Sequence, residues 1–126
     1  MDNIISDKDF FKIDETDHYI LGGCWESMFL IDKKTNDEIH LGVLDGVVDI
    51  GLISKDNSWA ITGREVIFLW RNGQVFTIEK KELGCVEGIN LVGDNLVELN
   101  IDTLNLNGNK SKWTLNTMTQ ELVKMT

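Results

Sequence analysis

The stretch SWAITGREVIFLWRNGQVFTIEK, residues Ser58 to Lys80, decides the fold. Apolar side chains alternate with polar ones through Ser58–Arg71 and again through Gln74–Lys80, the period of a half-buried strand. Between the two runs stands Asn72-Gly73. Both residues tolerate positive φ, so this pair is the strongest short signal for a tight hairpin. The sequence reads strand, turn, strand.

The same rhythm recurs on either side. Phe29-x-Ile31, Phe68-x-Trp70 and Leu104-x-Leu106 take matching places, each followed by a turn, the last at Asn107-Gly108-Asn109. Ile39-x-Leu41, Phe76-x-Ile78 and Trp113-x-Leu115 follow those turns, and Phe11-x-Ile13, Ile50-x-Leu52 and Ile89-x-Leu91 precede the set. Asp17, Asp56 and Asp94 come next upstream of Tyr19, Trp59 and Leu96, which open the second strand of each copy. The copies are offset by about 37–39 residues, a period that marks a repeat architecture. The expectation is one all-β domain spanning residues 1–126, with three four-stranded antiparallel repeats at 10–43, 48–81 and 87–125. No useful stretch has a helical period; a single helical turn is allowed around Asp7–Lys12 or in the last residues.

Ile20-Leu21-Gly22-Gly23 leading to Phe29-Leu30-Ile31-Asp32 and on to Ile39 resembles, in rhythm, blades of WD40- and quinoprotein-like propellers. It departs from them in lacking their Gly-His and Trp-Asp pairs. Three blades are also fewer than the four to eight of closed propellers. The β-trefoil, with three four-stranded repeats in a chain of this length, is the alternative. The tight, regular turns favour propeller-blade-like meanders.

Composition narrows the function classes. The 126 residues are 42% hydrophobic and 26% charged, which suits a globular core and excludes a disordered tail. No apolar run has membrane-span length, and the N-terminus carries acids where a secretory signal carries basic residues, so a cytoplasmic location is expected. Cys24 and Cys85 lie in apolar stretches and read as small buried hydrophobes rather than a disulfide.

The chemistry-bearing residues are sparse. His18 stands beside Asp17 in a turn where the next copy has Asn57, so it reads as a turn former. His40 alternates with Ile39 and Leu41 and reads as a solvated strand residue. Neither makes a nucleophile–base pair, and no cysteine–histidine spacing suits a metal. Asn105-x-Asn107-Gly108 has Thr103 and Thr114 where a calcium loop needs Asp and Glu. Gly22-Gly23 lacks a phosphate-loop lysine, and Asn109-Lys110-Ser111 is a chance glycosylation sequon. No catalytic residue, metal or cofactor is expected. Among the tryptophans, Trp59, Trp70 and Trp113 fall on core positions; Trp25 is the one expected to be exposed.

Charge is the remaining signal. Twenty-one acids against 12 Lys and Arg give a net charge of −9. Asp37, Glu38, Asp45 and Asp49 form one run without a cation; Glu82, Glu87, Asp94, Glu98 and Asp102 form another. Cations sit elsewhere, at Lys33-Lys34, Arg64, Arg71, Lys80-Lys81, Lys110 and Lys112. In a repeat protein equivalent positions share a surface, so the acids are expected to gather on one face. That face would repel nucleic acid and anionic membrane and attract a basic protein. Asp45, Asp49, Glu87, Asp94, Glu98 and Asp102 are the candidate partner-binding residues.

A small, acidic β-protein of this kind resembles in character the immunity proteins of bacterial toxin–immunity systems, including contact-dependent growth inhibition. That resemblance implies one-to-one binding and neutralisation of a cognate toxin, often a basic nuclease, without enzymatic activity. Two competing readings are a carbohydrate-binding module stacking sugar on Trp25 or His18, and a propeller-like scaffold completed by another chain or a second copy.

Overall fold

The structure, a computed structural model, describes residues 4–79, 84–102 and 110–125. After a short 3-10 turn (Ile4–Ser6), β1 (Phe10–Glu15), β2 (Tyr19–Cys24), β3 (Ser27–Asp32) and β4 (Glu38–Val43) form the first sheet. The second comprises β5 (Gly51–Ile53), β6 (Trp59–Gly63), β7 (Ile67–Arg71) and β8 (Gln74–Ile78). The third comprises β9 (Cys85–Gly93), β10 (Leu96–Asp102), β11 (Lys110–Asn116) and β12 (Leu122–Lys124). Each sheet is an antiparallel meander in which every strand pairs with its successor. These are propeller-type blades, not the shared barrel of a trefoil.

The deciding hairpin forms as read. Arg71 pairs with Gln74, and Asn72 and Gly73 take φ of 48° and 85°, the double left-handed geometry of a two-residue turn. Tyr19, Trp59 and Leu96 open the second strands. Two details differ. Trp113-x-Leu115 lies in the third strand of its blade, not the fourth, which is instead β12. Leu104-x-Leu106 and the Asn107-Gly108-Asn109 turn lie outside the described residues, as do Lys80, Lys81 and Glu82. The turn allowed over Asp7–Lys12 is instead strand from Phe10 onward, with a 3-10 turn earlier in the chain. Phe10 and Phe11 cover the bare backbone of β2: a Cβ on Gly22 would fall 2.6 Å from the Phe10 ring, and one on Gly23 2.6 Å from that of Phe11.

Two cores join three blades. Leu21, Met28, Leu30 and Leu41 of the first blade pack against Ala60, Phe68 and Trp70 of the second. Trp59, Ile61, Ile67 and Leu69 use the second blade's other face to pack against Val97, Leu99, Ile101, Trp113 and Leu115. Three of the four tryptophans are therefore core, while Trp25 is 65% exposed. The leading strands lie side by side, β1 against β5 and β5 against β9. Asp14 ties β1 to β5, its carboxylate accepting the Ile53 amide at 2.7 Å.

Gly42 shows how close the first two blades come. A Cβ there would lie within 2.7 Å of three atoms of the Phe68 ring. Phe68 is almost fully buried, so the ring has little room to retreat. Gly42→Ala should destabilise the chain by roughly 1–3 kcal/mol through overpacking. A thermal melt tests this; an unchanged midpoint would mean that Phe68 does not pack on Gly42.

An antiparallel meander puts its turns alternately at its two ends. One end carries the β2–β3 and β6–β7 turns, the 44–50 connection between blades and the start of β9. This is the inter-blade end. The opposite end carries the β1–β2, β3–β4, β5–β6, β7–β8, β9–β10 and β11–β12 turns.

Candidate protein-binding surface

The inter-blade end is built on carboxylates held by backbone. The Asp45 amide donates to both oxygens of Glu65, at 3.2 and 3.1 Å, and the Gly46 amide donates to Glu26 Oε2 at 3.1 Å. Arg64 Nη1 donates to the Asp45 carbonyl at 3.2 Å, while its own carbonyl accepts the Val86 amide at 2.8 Å. The turns of blades one and two and the start of blade three are thereby linked.

Two hollows open here. A groove of about 650 Å³ between the first two blades is lined by Leu41, Gly42, Val43, Leu44, Val66 and Phe68, with Glu26, Asp45, Glu65, Thr77 and Glu79 around them. A second, of about 350 Å³, is lined by Val47, Val48, Asp49, Ile50, Arg64, Val86 and Glu87. Trp25, Val43 and Val47, all more than 60% exposed, stand at the same end. Trp25 occupies the β2–β3 turn at φ 57°, a conformation uncommon for a bulky residue.

The six expected partner-binding acids divide. Asp45, Asp49 and Glu87 come together at the inter-blade end, each exposed. Asp102 closes β10 at that end, paired in register with Cys85. Glu98 lies midway along β10, on the blade face opposite Val97, Leu99 and Ile101, with its carboxylate 3.8 Å from Lys112 Nζ. Asp94 sits at the opposite end, where its carbonyl accepts the Trp59 indole N–H at 3.1 Å. Glu26, Glu65 and Glu79 were not singled out in the sequence. The signal for two of them was the repeat itself, since Trp25-Glu26 and Arg64-Glu65 occupy equivalent turns.

The opposite end is electrically mixed. Lys33, Lys34, Lys55 and Arg71 stand there among Asp17, Asp32, Asp56 and Asp94. Glu15 is bonded by Lys12 at 2.8 Å and by Lys33 at 2.7 Å. These two lysine hydrogen bonds, Lys12 first, hold its carboxyl well down, from 4.5 to about 2. A carboxylate with a depressed folded pKa stabilises the fold above its unfolded pKa. That contribution is lost as pH falls through the folded value, here between about 4.5 and 2. Carboxyl carbon NMR should find the Glu15 midpoint near 2, and Lys33→Met should raise it. An unshifted Glu15 midpoint would mean that the pairing does not persist in solution.

The other expected features fall in unremarkable places. His18 Nδ1 lies 3.2 Å from Asp17 with both side chains exposed. His40 is exposed on β4, its ring 5.1 Å from that of Phe29. Trp25 and His18 lie at opposite ends and cannot share a sugar-stacking site. Both cysteines are free, Cys24 buried and Cys85 half-buried. Burial, then the nearby charges of Asp7 and Asp9, push the Cys24 thiol pKa up, which keeps it a neutral, unreactive thiol. Among the described residues no group of three His, Cys, Asp or Glu is placed to hold a metal ion, and no helix is long and apolar enough to cross a membrane.

No protein-family model and no curated protein matches this chain. Solved structures do. Hydrazine synthase of Kuenenia stuttgartiensis superposes with a TM-score of 0.61 at 14% identity, over 85% of this chain and 34% of that one. The WD40 repeats of RRP9 give 0.60 at 14% identity, over 91% and 40%. U3-55K gives 0.58 at 14% identity, over 93% and 42%. The chain thus spans less than half the length of each of these structures. At such identity the likeness concerns fold alone, and that fold is the propeller-type array of four-stranded blades.

Proposed function

We propose that this chain is a non-enzymatic protein-binding module that engages a basic protein partner through its inter-blade end. The observation that carries the reading is the concentration of carboxylates there. Glu26, Asp45, Asp49, Glu65, Glu79 and Glu87 surround exposed apolar residues, and Arg64 is the one cation lining the two hollows among the described residues. A field of one sign steers an oppositely charged partner and disfavours nucleic acid and anionic membrane. Exposed Trp25, Val43 and Val47 supply the apolar contact that such steering alone lacks. Propeller-type blades are a rigid platform for this use, which favours a binding or scaffold role.

In its most specific form the proposal makes the partner a cognate toxin, neutralised in a cytoplasmic one-to-one complex. The support is the class resemblance in size, acidity and lack of a catalytic constellation. Co-expression with the product of the adjacent gene, scored by relief of growth arrest and by co-purification, tests it. Capture of a basic protein without any protection would retain the binding module and reject the immunity role.

A further inference from the structure

The groove between the first two blades has the shape and chemistry of a seat for one kind of segment. Its floor is apolar, with Leu41, Leu44 and Phe68 nearly buried beneath it and the flat backbone of Gly42 against the Phe68 ring. Val43, 61% exposed, stands on one wall. Glu26, Asp45, Glu65 and Glu79 stand around the opening, and no cation lines it among the described residues. Glu65 and Glu26 are oriented by the amides of Asp45 and Gly46, so their position needs no counter-charge from a neighbouring side chain.

We infer that this groove seats an extended segment of the partner in which apolar residues alternate with arginine or lysine. The inference rests on the protein-binding reading above. Charge complementarity selects a cation. The apolar floor selects a cation on a hydrocarbon stem over a hydrated metal ion, because long basic side chains lay their methylenes on apolar surface while the charged head stays at the rim. A neutral apolar segment would leave the carboxylates unmatched, and an acidic one would be repelled. The groove is shallow and open, and its volume of about 650 Å³ leaves room for several side chains laid along it.

The test uses the full chain, isotope-labelled, titrated with the synthetic peptide acetyl-(Leu-Arg)₄-amide and with its Leu-Glu counterpart. Saturable amide shifts are expected over Leu41–Asp45, Val66, Phe68 and Thr77–Glu79 with the arginine peptide only. The double variant Glu65→Gln, Glu79→Gln removes two charges but leaves one acceptor oxygen at each position, which at residue 65 still serves the Asp45 amide, so it should melt close to the parent yet bind about tenfold more weakly. Asp49→Asn with Glu87→Gln, the same loss of charge in the neighbouring hollow, should change binding less than about threefold. Shifts confined to the Asp49–Glu87 hollow would overturn the groove assignment and leave the basic-partner reading standing. Equal binding by the double glutamine variant would do the same. A natural partner indifferent to charge reversal anywhere at this end would remove the underlying reading as well.

Discussion

Replacing Trp59 by alanine is expected to bring this chain close to unfolding at physiological temperature. Trp59 is fully buried at the start of β6, in the core between the second and third blades. Truncating a buried tryptophan costs about 3–5 kcal/mol in transfer and cavity terms. The indole N–H also bonds the Asp94 carbonyl at 3.1 Å, tying β6 to the β9–β10 turn. Leaving that carbonyl without its partner adds about 1 kcal/mol where water cannot replace it. Against a total stability of about 5–15 kcal/mol, the loss lowers the melting midpoint by roughly 10–20 °C. Trp25→Ala is the internal comparison. At 65% exposure it should shift the midpoint by no more than about 2 °C. If the two variants melted alike, the second and third blades would not pack through Trp59.

Those two tryptophans also show what was legible beforehand. Trp59 aligned with Tyr19 and Leu96 as the opening of a second strand, and alternation placed it in the core. Trp25 fell at a strand boundary, and the structure puts it in a turn. Period-2 patterning therefore specified strands, faces and much of the core. It failed where pattern alone cannot fix register. Trp113-Thr114-Leu115 echoes Phe76-Thr77-Ile78 in side-chain chemistry, yet the former belongs to a third strand and the latter to a fourth. Any two strands with one buried face satisfy the same alternation. The short β12 had no comparable apolar pair to correct the count.

The binding surface was legible only in part, for a different reason. Sequence runs placed Asp45, Asp49 and Glu87 in acidic stretches without showing which end of a blade they would reach. Asp94 shares a run with Glu87 but lies just past the far end of β9, and the seven-residue offset between them carries it roughly 23 Å away. Glu98 faces outward from the third blade toward Lys112. Glu79 reaches the groove because blade two packs on blade one through Phe68 and Gly42, a tertiary fact without a local signature. The repeat predicted equivalent surfaces; the alternation of turns between two ends split them.

That split sets the second large effect. Asp45→Lys, Asp49→Lys and Glu87→Lys together reverse the charge at one end, on exposed side chains outside both cores. Association with the basic partner obtained by co-expression should slow by about 10- to 1,000-fold at low salt, the range spanned by electrostatic steering. Dissociation should change far less, since rim charges act chiefly on encounter. The parent should itself lose its rate advantage as salt shortens the Debye length from about 10 Å at 0.1 M to about 3 Å at 1 M, converging on the triple variant. Asp94→Lys with Glu98→Lys removes as much negative charge per site but places it at the far end and along the outer face. Stopped-flow association should therefore find that pair within about threefold of the parent at 0.15 M salt, where the Debye length is about 8 Å. Equal slowing by both sets would mean that net charge, not its gathering at the inter-blade end, governs encounter. The difference between the two sets measures how much of the steering arises from position.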